Sequence, residues 1–397
     1  MPVEHLDDPP ATADLVIVGS GILGAATALH AARAGLRAVV VERRPALATL
    51  TTAAAAGGFR LQLDGDEDLR LIRESVEFLY RFEEETGQRE HDPNVTLRGY
   101  LWVTTEEAGA ERQQRLVEEQ RGWGLDDVEL LSGDEARSRF PFLSPEVVQA
   151  RFRQGDGSLE PRAAALGMLV GSGVPAVTGC AVTGFRVQGD RLAAVETQRG
   201  AIATRAAVIA AGPFASALAE TVGVRLPVEM VLRHKVVVPD APQVPPDAPM
   251  TIDEDTGAHW RPALGGAYLL FTDPATPPSE PADSVPIDQG FAFRLLEPES
   301  PVAVARVAPF WRRFWEGSGT WMLQAGHYVM TPDRRPLLGA LGIEGLFLNT
   351  GYSGKGVMGG IAGSRRVVDV ITGKTRAEEE PYRPDRPLAE RPKLDPL

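Results

Sequence analysis

Residues 14 to 42 read "DLVIVGSGILGAATALHAARAGLRAVVVE". Leu15 to Val18 is short, apolar and β-branched, which suits a strand buried on both faces of a parallel sheet. Gly19, Gly21 and Gly24 follow in G-x-G-x-x-G spacing. The first glycine allows a sharp turn, the second lets backbone approach a pyrophosphate, and the third lets a helix pack closely on the strand. Ala25 to Arg33 is rich in helix formers, with Gly35 placed as a C-terminal cap. Ala38 to Val41 is the next buried strand, and Glu42 ends it about twenty residues beyond the glycines, where a carboxylate accepts ribose hydroxyls. The free N–H groups at the helix start face the phosphates. Strand, turn, helix, strand and acid in register predict a dinucleotide-binding βαβ unit.

The rest of the chain bounds what uses that ligand. Its 397 residues suffice for two domains with sizeable cores. A formal charge of −13 argues against nucleic acid as a partner, because phosphate neutralisation needs clustered Lys and Arg. One cysteine, Cys180, excludes an intramolecular disulfide and a cysteine-based zinc site, and no metal site is expected. The start "MPVEHLDDPP" lacks the basic and apolar segments of a signal peptide. No uninterrupted apolar run reaches the length of a membrane span. The expectation is a cytoplasmic, soluble protein.

Asp66 to Thr86 carries Leu69, Ile72, Val76, Leu79 and Phe82 near helical spacing. "RGYLWVTT" (98–105) reads as a strand and "EEAGAERQQRLVEEQRGWG" as a helix ending at glycine. Pro161 suits the first turn of another helix. Residues 174 to 211 alternate strands with turns at Gly189-Asp190 and Arg199-Gly200, and finish in a buried run that enters Gly212-Pro213. Beyond Val228, proline is dense at 239–249 and 274–286, and Trp260, Tyr268, Trp311 and other aromatics appear. That pattern predicts a second layer, a sheet with long loops of the kind that serve as binding loops or lids. "LFLNTGYSGKGVMGGIAGSRRVVDVI" (346–371) is a second glycine-rich strand-to-helix turn that brings bare backbone to a ligand. The tail 376–397 is charged and proline-rich, and is expected to wrap the surface or to be partly disordered.

Four stretches together give a family resemblance: "VGSGILGAATALHAARAGLRAVVVER", "TTAAAAGGFRLQ", "VIAAGPFASALAETVGV" and "AGHYVMTPDRRPLLGALGIEGLFLNTGYSGKGVMGG". In order and spacing the chain resembles the D-amino-acid-oxidase-like FAD-dependent oxidoreductases, relatives of glycine oxidase, sarcosine oxidase and dimethylglycine dehydrogenase, over roughly residues 12 to 375. The resemblance implies an α/β fold: a Rossmann-like FAD-binding domain assembled from discontinuous segments (12–90, 145–227 and 325–375) and an antiparallel-sheet substrate domain (91–144 and 228–324). It implies that Gly19, Gly21, Gly24, Glu42 and Arg43 hold the ADP part and that the backbone of Val182 meets adenine. Gly57, Gly58 and Gly212 would lie near the pyrophosphate and flavin. The loop Gly351, Tyr352, Ser353, Gly354, Lys355 and Gly356 would close on the isoalloxazine.

Departures from the family pattern carry information. Lys355 stands where many members have histidine, and a cation there would offset negative charge on the reduced flavin. Met358 replaces the substrate-binding lysine of sarcosine oxidases. Ala54 stands near the attachment histidine of the dimethylglycine dehydrogenase type, and Cys180 is far from the attachment cysteine of sarcosine oxidases. FAD is therefore expected to be non-covalent. The implied activity is oxidation of a C–N bond in an amino acid or N-alkylated amine, with O2 or an unidentified carrier as electron acceptor. Such a step needs no strong base, and no triad or carboxylate dyad stands out. A substrate carboxylate calls for a cation, and Arg261, Arg60 and Arg335 are candidates. Alternation puts His259 and Arg261 on one strand face and Trp260 on the other. A 2-hydroxy acid dehydrogenase on the same fold is the alternative, with His259 as its base. His327 is a further residue for the flavin side.

Overall fold

The computed structural model describes residues 2–317 and 319–389. Its centre is a six-stranded sheet ordered Leu337–Ala340, Leu346–Thr350, Ala207–Ile209, Leu15–Val18, Ala38–Val41 and Ala176–Val177. All neighbours run parallel except the edge hairpin of the first two. Every residue of Leu15–Val18 and Ala38–Val41 is buried, as unbroken β-branched runs require when both sheet faces are covered. Alternation then sorts them. Leu15, Ile17 and Val40 pack under the helices Ile22–Arg33, Pro161–Ser172 and Gly356–Ile371. Val16, Val18, Val39 and Val41 pack under the antiparallel three-stranded sheet of Val182–Gln188, Arg191–Thr197 and Gly200–Ala203.

The second layer is an eight-stranded sheet ordered Met322–Met330, Glu229–Val238, Gly266–Leu270, His259–Ala263, Met250–Asp253, Tyr100–Thr104, Gln149–Arg153 and Glu129–Ser132. Its pairs are antiparallel apart from Met250–Asp253 beside Tyr100–Thr104. One face carries Val236, Val238, Trp260 and Leu269, packed on Phe291, Trp311 and Phe314 of the short helices that follow. The register Lys235↔Leu270↔His259 and Tyr268↔Arg261 puts polar side chains on the opposite face. That face meets the turn at 55–58: Arg261 Nε donates to Ala56 O at 2.8 Å, and Lys235 Nζ to Ala55 O at 3.2 Å.

Two strands cross the expected domain boundaries. Gln149–Arg153 and residues 325–330 of Met322–Met330 belong to the large sheet, although 145–227 and 325–375 are expected in the cofactor part. The predicted helix 66–86 breaks at Arg81 into Asp66–Tyr80 and Phe82–Thr86, and ends at Gly87 with φ +66°. The tail is docked as far as it is described. Tyr382 O accepts from Leu338 N at 2.9 Å, and Arg386 grips Asp333 at 2.9 and 3.0 Å; residues 390–397 lie outside the described residues. No helix among the described residues is long and apolar enough to cross a membrane.

Candidate active site

At the C-terminal edge of the central sheet a long cleft opens. It is lined at one end by Gly19, Gly21, Glu42, Arg43 and Val182, in the middle by Thr51, Ala55 and Gly212, and at the other end by His327, Tyr328, Gly351, Tyr352, Ser353, Gly354 and Gly356. The sheet order brings these distant segments together, because the strands they follow are adjacent and mostly parallel.

Gly19 has φ +105°, and a Cβ there would stand 2.7 Å from Ala210 O. Gly24 lies behind the cleft, where a Cβ would be 1.9 Å from Gly19 O, so the helix Ile22–Arg33 seats directly on the turn. The first helical N–H, of Ile22, donates to Thr52 Oγ1 at 3.0 Å, which ties the glycine turn to the Thr51–Ala54 helix.

Glu42 is 8% exposed. Its Oε2 accepts from Ser20 N at 2.9 Å and Ser20 Oγ at 2.6 Å, and its Oε1 from Arg44 N at 2.8 Å. Neutral donors alone fix this carboxylate, so it keeps lone pairs for hydroxyl donors in the cleft. Beside it the Arg43 guanidinium lies 4.0 Å over the Phe214 ring and pairs with Asp283 at 2.6 Å. Arg44 donates to Asp283 O at 3.0 Å. Two adjacent arginines therefore moor the proline-rich 272–290 segment across this end. His327 Nε2 moors the same segment through Glu280 O at 3.1 Å. A carbonyl only accepts, so Nε2 carries the proton and the buried Nδ1, which has no hydrogen-bond partner among the described residues, is the acceptor nitrogen. Burial lowers the pKa of His327.

The C-terminal loop follows Leu346–Thr350. Gly351 and Gly354 have φ +75° and +91°, and Ser353 shares the left-handed region at φ 50°. Ser353 N donates to Val329 O at 3.0 Å, and its Oγ accepts from Thr331 N at 3.1 Å. Gly354 lies against the Tyr328 ring, where a Cβ would be 2.5 Å away. Tyr352 offers backbone to the cleft, while its hydroxyl donates inward to Asn349 Oδ1 at 2.8 Å and burial holds its pKa up.

Other expected residues stand elsewhere. Lys355 Nζ is 2.6 Å from Asp68 Oδ2, itself 2% exposed, and Lys355 does not line the cleft. The ammonium expected against the flavin is engaged by that acid instead. Gly57 and Gly58 answer to packing: their Cβ atoms would be 2.0 Å from Leu159 O and 1.9 Å from Tyr100 Oη. Arg60 is buried with its guanidinium 4.9 Å over the Trp102 ring. Arg335 pairs with Glu67. His259 Nδ1–H donates to Gly257 O at 2.8 Å.

Arg261 is 5% exposed, in contact with the Tyr268 ring at 4.7 Å and with Glu160 Oε1 at 3.7 Å. Burial lowers its pKa. Lys235, on the same face, was missed: inside "RHK" it reads as part of a solvated charge run. The available signal was its place beside Val236 to Val238 in a long apolar strand. Burial first, and Arg261 next, hold its pKa down at about 8. Among the described residues no cluster of His, Cys, Asp and Glu could hold a metal.

This donor set fits FAD. A buried carboxylate held only by neutral donors would serve a ribose, a turn in which Gly19 and Gly24 leave no room for a side chain leads into a helix N-terminus suited to a pyrophosphate, and the loop at the far end would receive a flat ring. The profile described as DAO, FAD dependent oxidoreductase, matches residues 14–370. The chain is 28% identical over 389 residues to mitochondrial sarcosine dehydrogenase of Mus musculus, covering 94% of this chain and 41% of that protein. It thus spans less than half the length of that relative. It is 28% identical over 425 residues to D-amino acid dehydrogenase of Cereibacter sphaeroides, covering 91% and 92% of the two chains. The fold matches L-proline dehydrogenase from P. horikoshii with TM-score 0.81 at 23% identity, covering 95% and 98%. It matches glycine oxidase from Geobacillus kaustophilus with TM-score 0.81 at 23% identity, covering 96% and 100%. The chain belongs to the DAO family of FAD-dependent oxidoreductases.

Proposed function

We propose that the protein binds FAD non-covalently in the cleft and oxidises the C–N bond of an amino acid or N-alkylated amine that carries a carboxylate. The observation that carries this reading is the buried Arg261 on the sheet face that closes on the 55–58 turn. FAD, when bound, supplies the hydride acceptor. Glu42 holds the ribose, the Gly19–Gly24 turn faces the pyrophosphate, and the Gly351–Gly356 backbone borders the flavin. Arg261 pairs the substrate carboxylate in a desolvated place, where its fork is worth most. Tyr268 and Tyr100 wall that place. The large sheet and the 272–290 segment keep water out.

His327 Nδ1 is an acceptor nitrogen on a residue lining the cleft, suited to taking the proton that an ammonium substrate must lose before oxidation. The same nitrogen favours the second reading, a 2-hydroxy acid dehydrogenase, which needs a base for the hydroxyl proton. An anaerobic titration of the holoenzyme across amino acids, N-methyl amino acids, simple amines and 2-hydroxy acids tests the proposal. Bleaching by amino carboxylates alone upholds it, and bleaching by hydroxy acids alone moves the assignment to the second reading. Repeating the titration with O2 and with artificial acceptors identifies the electron acceptor class.

A further inference from the structure

Lys235 has no part in the cofactor cleft, yet it is 4% exposed in the middle of the Glu229–Val238 strand. Its Nζ donates to Ala55 O at 3.2 Å and stands 4.3 Å from the centroid of the Tyr268 ring. The Arg261 guanidinium stands 4.7 Å from the centroid of the same ring. The carboxylate acting on both is Glu160, which is 3.7 Å from Arg261 and has a half-exposed side chain. Among the described residues no carboxylate lies within ion-pair distance of Lys235.

A buried ammonium beside a buried guanidinium is costly twice over, through lost hydration and through mutual repulsion. Such groups cluster at functional sites. The contacts of Lys235 connect it to the cleft. The carbonyls held by Lys235 and Arg261 belong to Ala55 and Ala56, consecutive residues, and Ala55 lines the cleft. Arg233, two residues earlier on the same strand face, lies 5.8 Å from the ring of Tyr328, another cleft residue. A cationic row thus runs from the cleft wall along the sheet.

We propose that Lys235 is a second carboxylate-binding residue beside Arg261, and that the substrate is an amino dicarboxylic acid or its N-alkyl derivative. The proposal rests on the reading of Arg261 as a substrate residue. One carboxylate of an amino acid is satisfied by the guanidinium fork alone, and a second desolvated cation would then stay uncompensated. A second carboxylate removes that penalty. The two cationic heads are separated by no more than the sum of their distances to the Tyr268 centroid, a span that carboxylates on a short carbon chain cover.

The test uses holoenzyme of the wild type, Lys235→Met and Lys235→Arg, with FAD content as the control for folding. Succinate and its monoamide are the non-oxidisable probes, followed by the flavin spectrum and by tryptophan fluorescence. Wild type should bind succinate at least about tenfold more tightly than the monoamide. Lys235→Met should abolish that difference, and Lys235→Arg should keep most of it. In turnover, kcat/KM for an amino dicarboxylate should exceed that for its side-chain amide by on the order of a hundredfold, and Lys235→Met should bring the two within a few fold. Equal losses for both members of either pair, or no wild-type preference, would overturn the proposal. Lys235-dependent succinate binding without bleaching by any amine would uphold the two-cation site and overturn the amine chemistry.

Discussion

Glu42 is a carboxylate fixed by Ser20 and by the Arg44 backbone. On the proposed reading, removing it strips an acceptor from the ribose, and it leaves the Ser20 N–H and O–H donors without their acceptor. Glu42→Ala should weaken FAD binding by about 1–3 kcal/mol, read as the dissociation constant after dialysis. Undiminished retention would remove Glu42 from the cofactor site. Arg261→Met should lower kcat/KM for the best carboxylate substrate by on the order of a hundredfold, about 3 kcal/mol, while FAD content stays the same and an uncharged amine loses far less. Equal losses would make Arg261 a structural residue. Lys235 carries a stability signature of its own. Its pKa in the fold is about 8, below the ordinary lysine value of 10.5. The unfolded chain therefore holds this proton more tightly than the native state, and the penalty, at most about 3 kcal/mol, is full below pH 8 and fades as pH rises toward 10.5. Lys235→Met should melt higher than wild type at pH 7, and that advantage should shrink by pH 10. A pH-independent difference would contradict the assignment.

At the scale of elements, the glycine turn separates fold from ligand. A Cβ on Gly24 would meet Gly19 O at 1.9 Å, whereas one on Gly21 would meet only Thr52 Oγ1, at 3.1 Å. Gly24→Ala should therefore destabilise the fold by about 1–3 kcal/mol. Gly21→Ala should leave thermal unfolding of the flavin-free protein nearly unchanged and weaken FAD binding at least about tenfold, because its methyl group would intrude on the proposed pyrophosphate site. Local periodicity made this unit legible: unbroken apolar strands, glycine spacing and a terminal acid are all within a few turns of one another. The Pro161 helix start, the Gly189-Asp190 turn and the glycine-rich C-terminal loop were legible for the same reason. Contacts between distant segments were not. Lys355 finds Asp68 across 287 residues, so no local pattern announces that the lysine is taken. Gly58 is small because of Tyr100, a strand of the other sheet. Lys235 hides in a short charged run, and only the register Lys235↔Leu270↔His259 shows that it shares a face with Arg261.

At the scale of the whole molecule the two largest sheets close on a cleft, with the cleft wall built from the N-terminal, middle and C-terminal thirds of the chain. On the proposed reading such a wall would hold FAD by many weak contacts, without a covalent bond. By the family resemblance Ala54 stands near the attachment histidine of one group of relatives, and the single cysteine, Cys180, is buried and does not itself line the cleft, although its neighbours Ala181 and Val182 do. Acid precipitation should release all of the yellow colour into the supernatant, and colour kept in the pellet would mean covalent attachment. The central claim is that this cleft serves amine oxidation on a carboxylate-bearing substrate. Its most direct test is a matched pair under anaerobic conditions: an N-methyl amino acid and the 2-hydroxy acid of the same carbon skeleton, mixed separately with the holoenzyme while flavin absorbance is followed. The account predicts that the amine bleaches the flavin and the hydroxy acid leaves it oxidised; bleaching by the hydroxy acid with no change from the amine would contradict it.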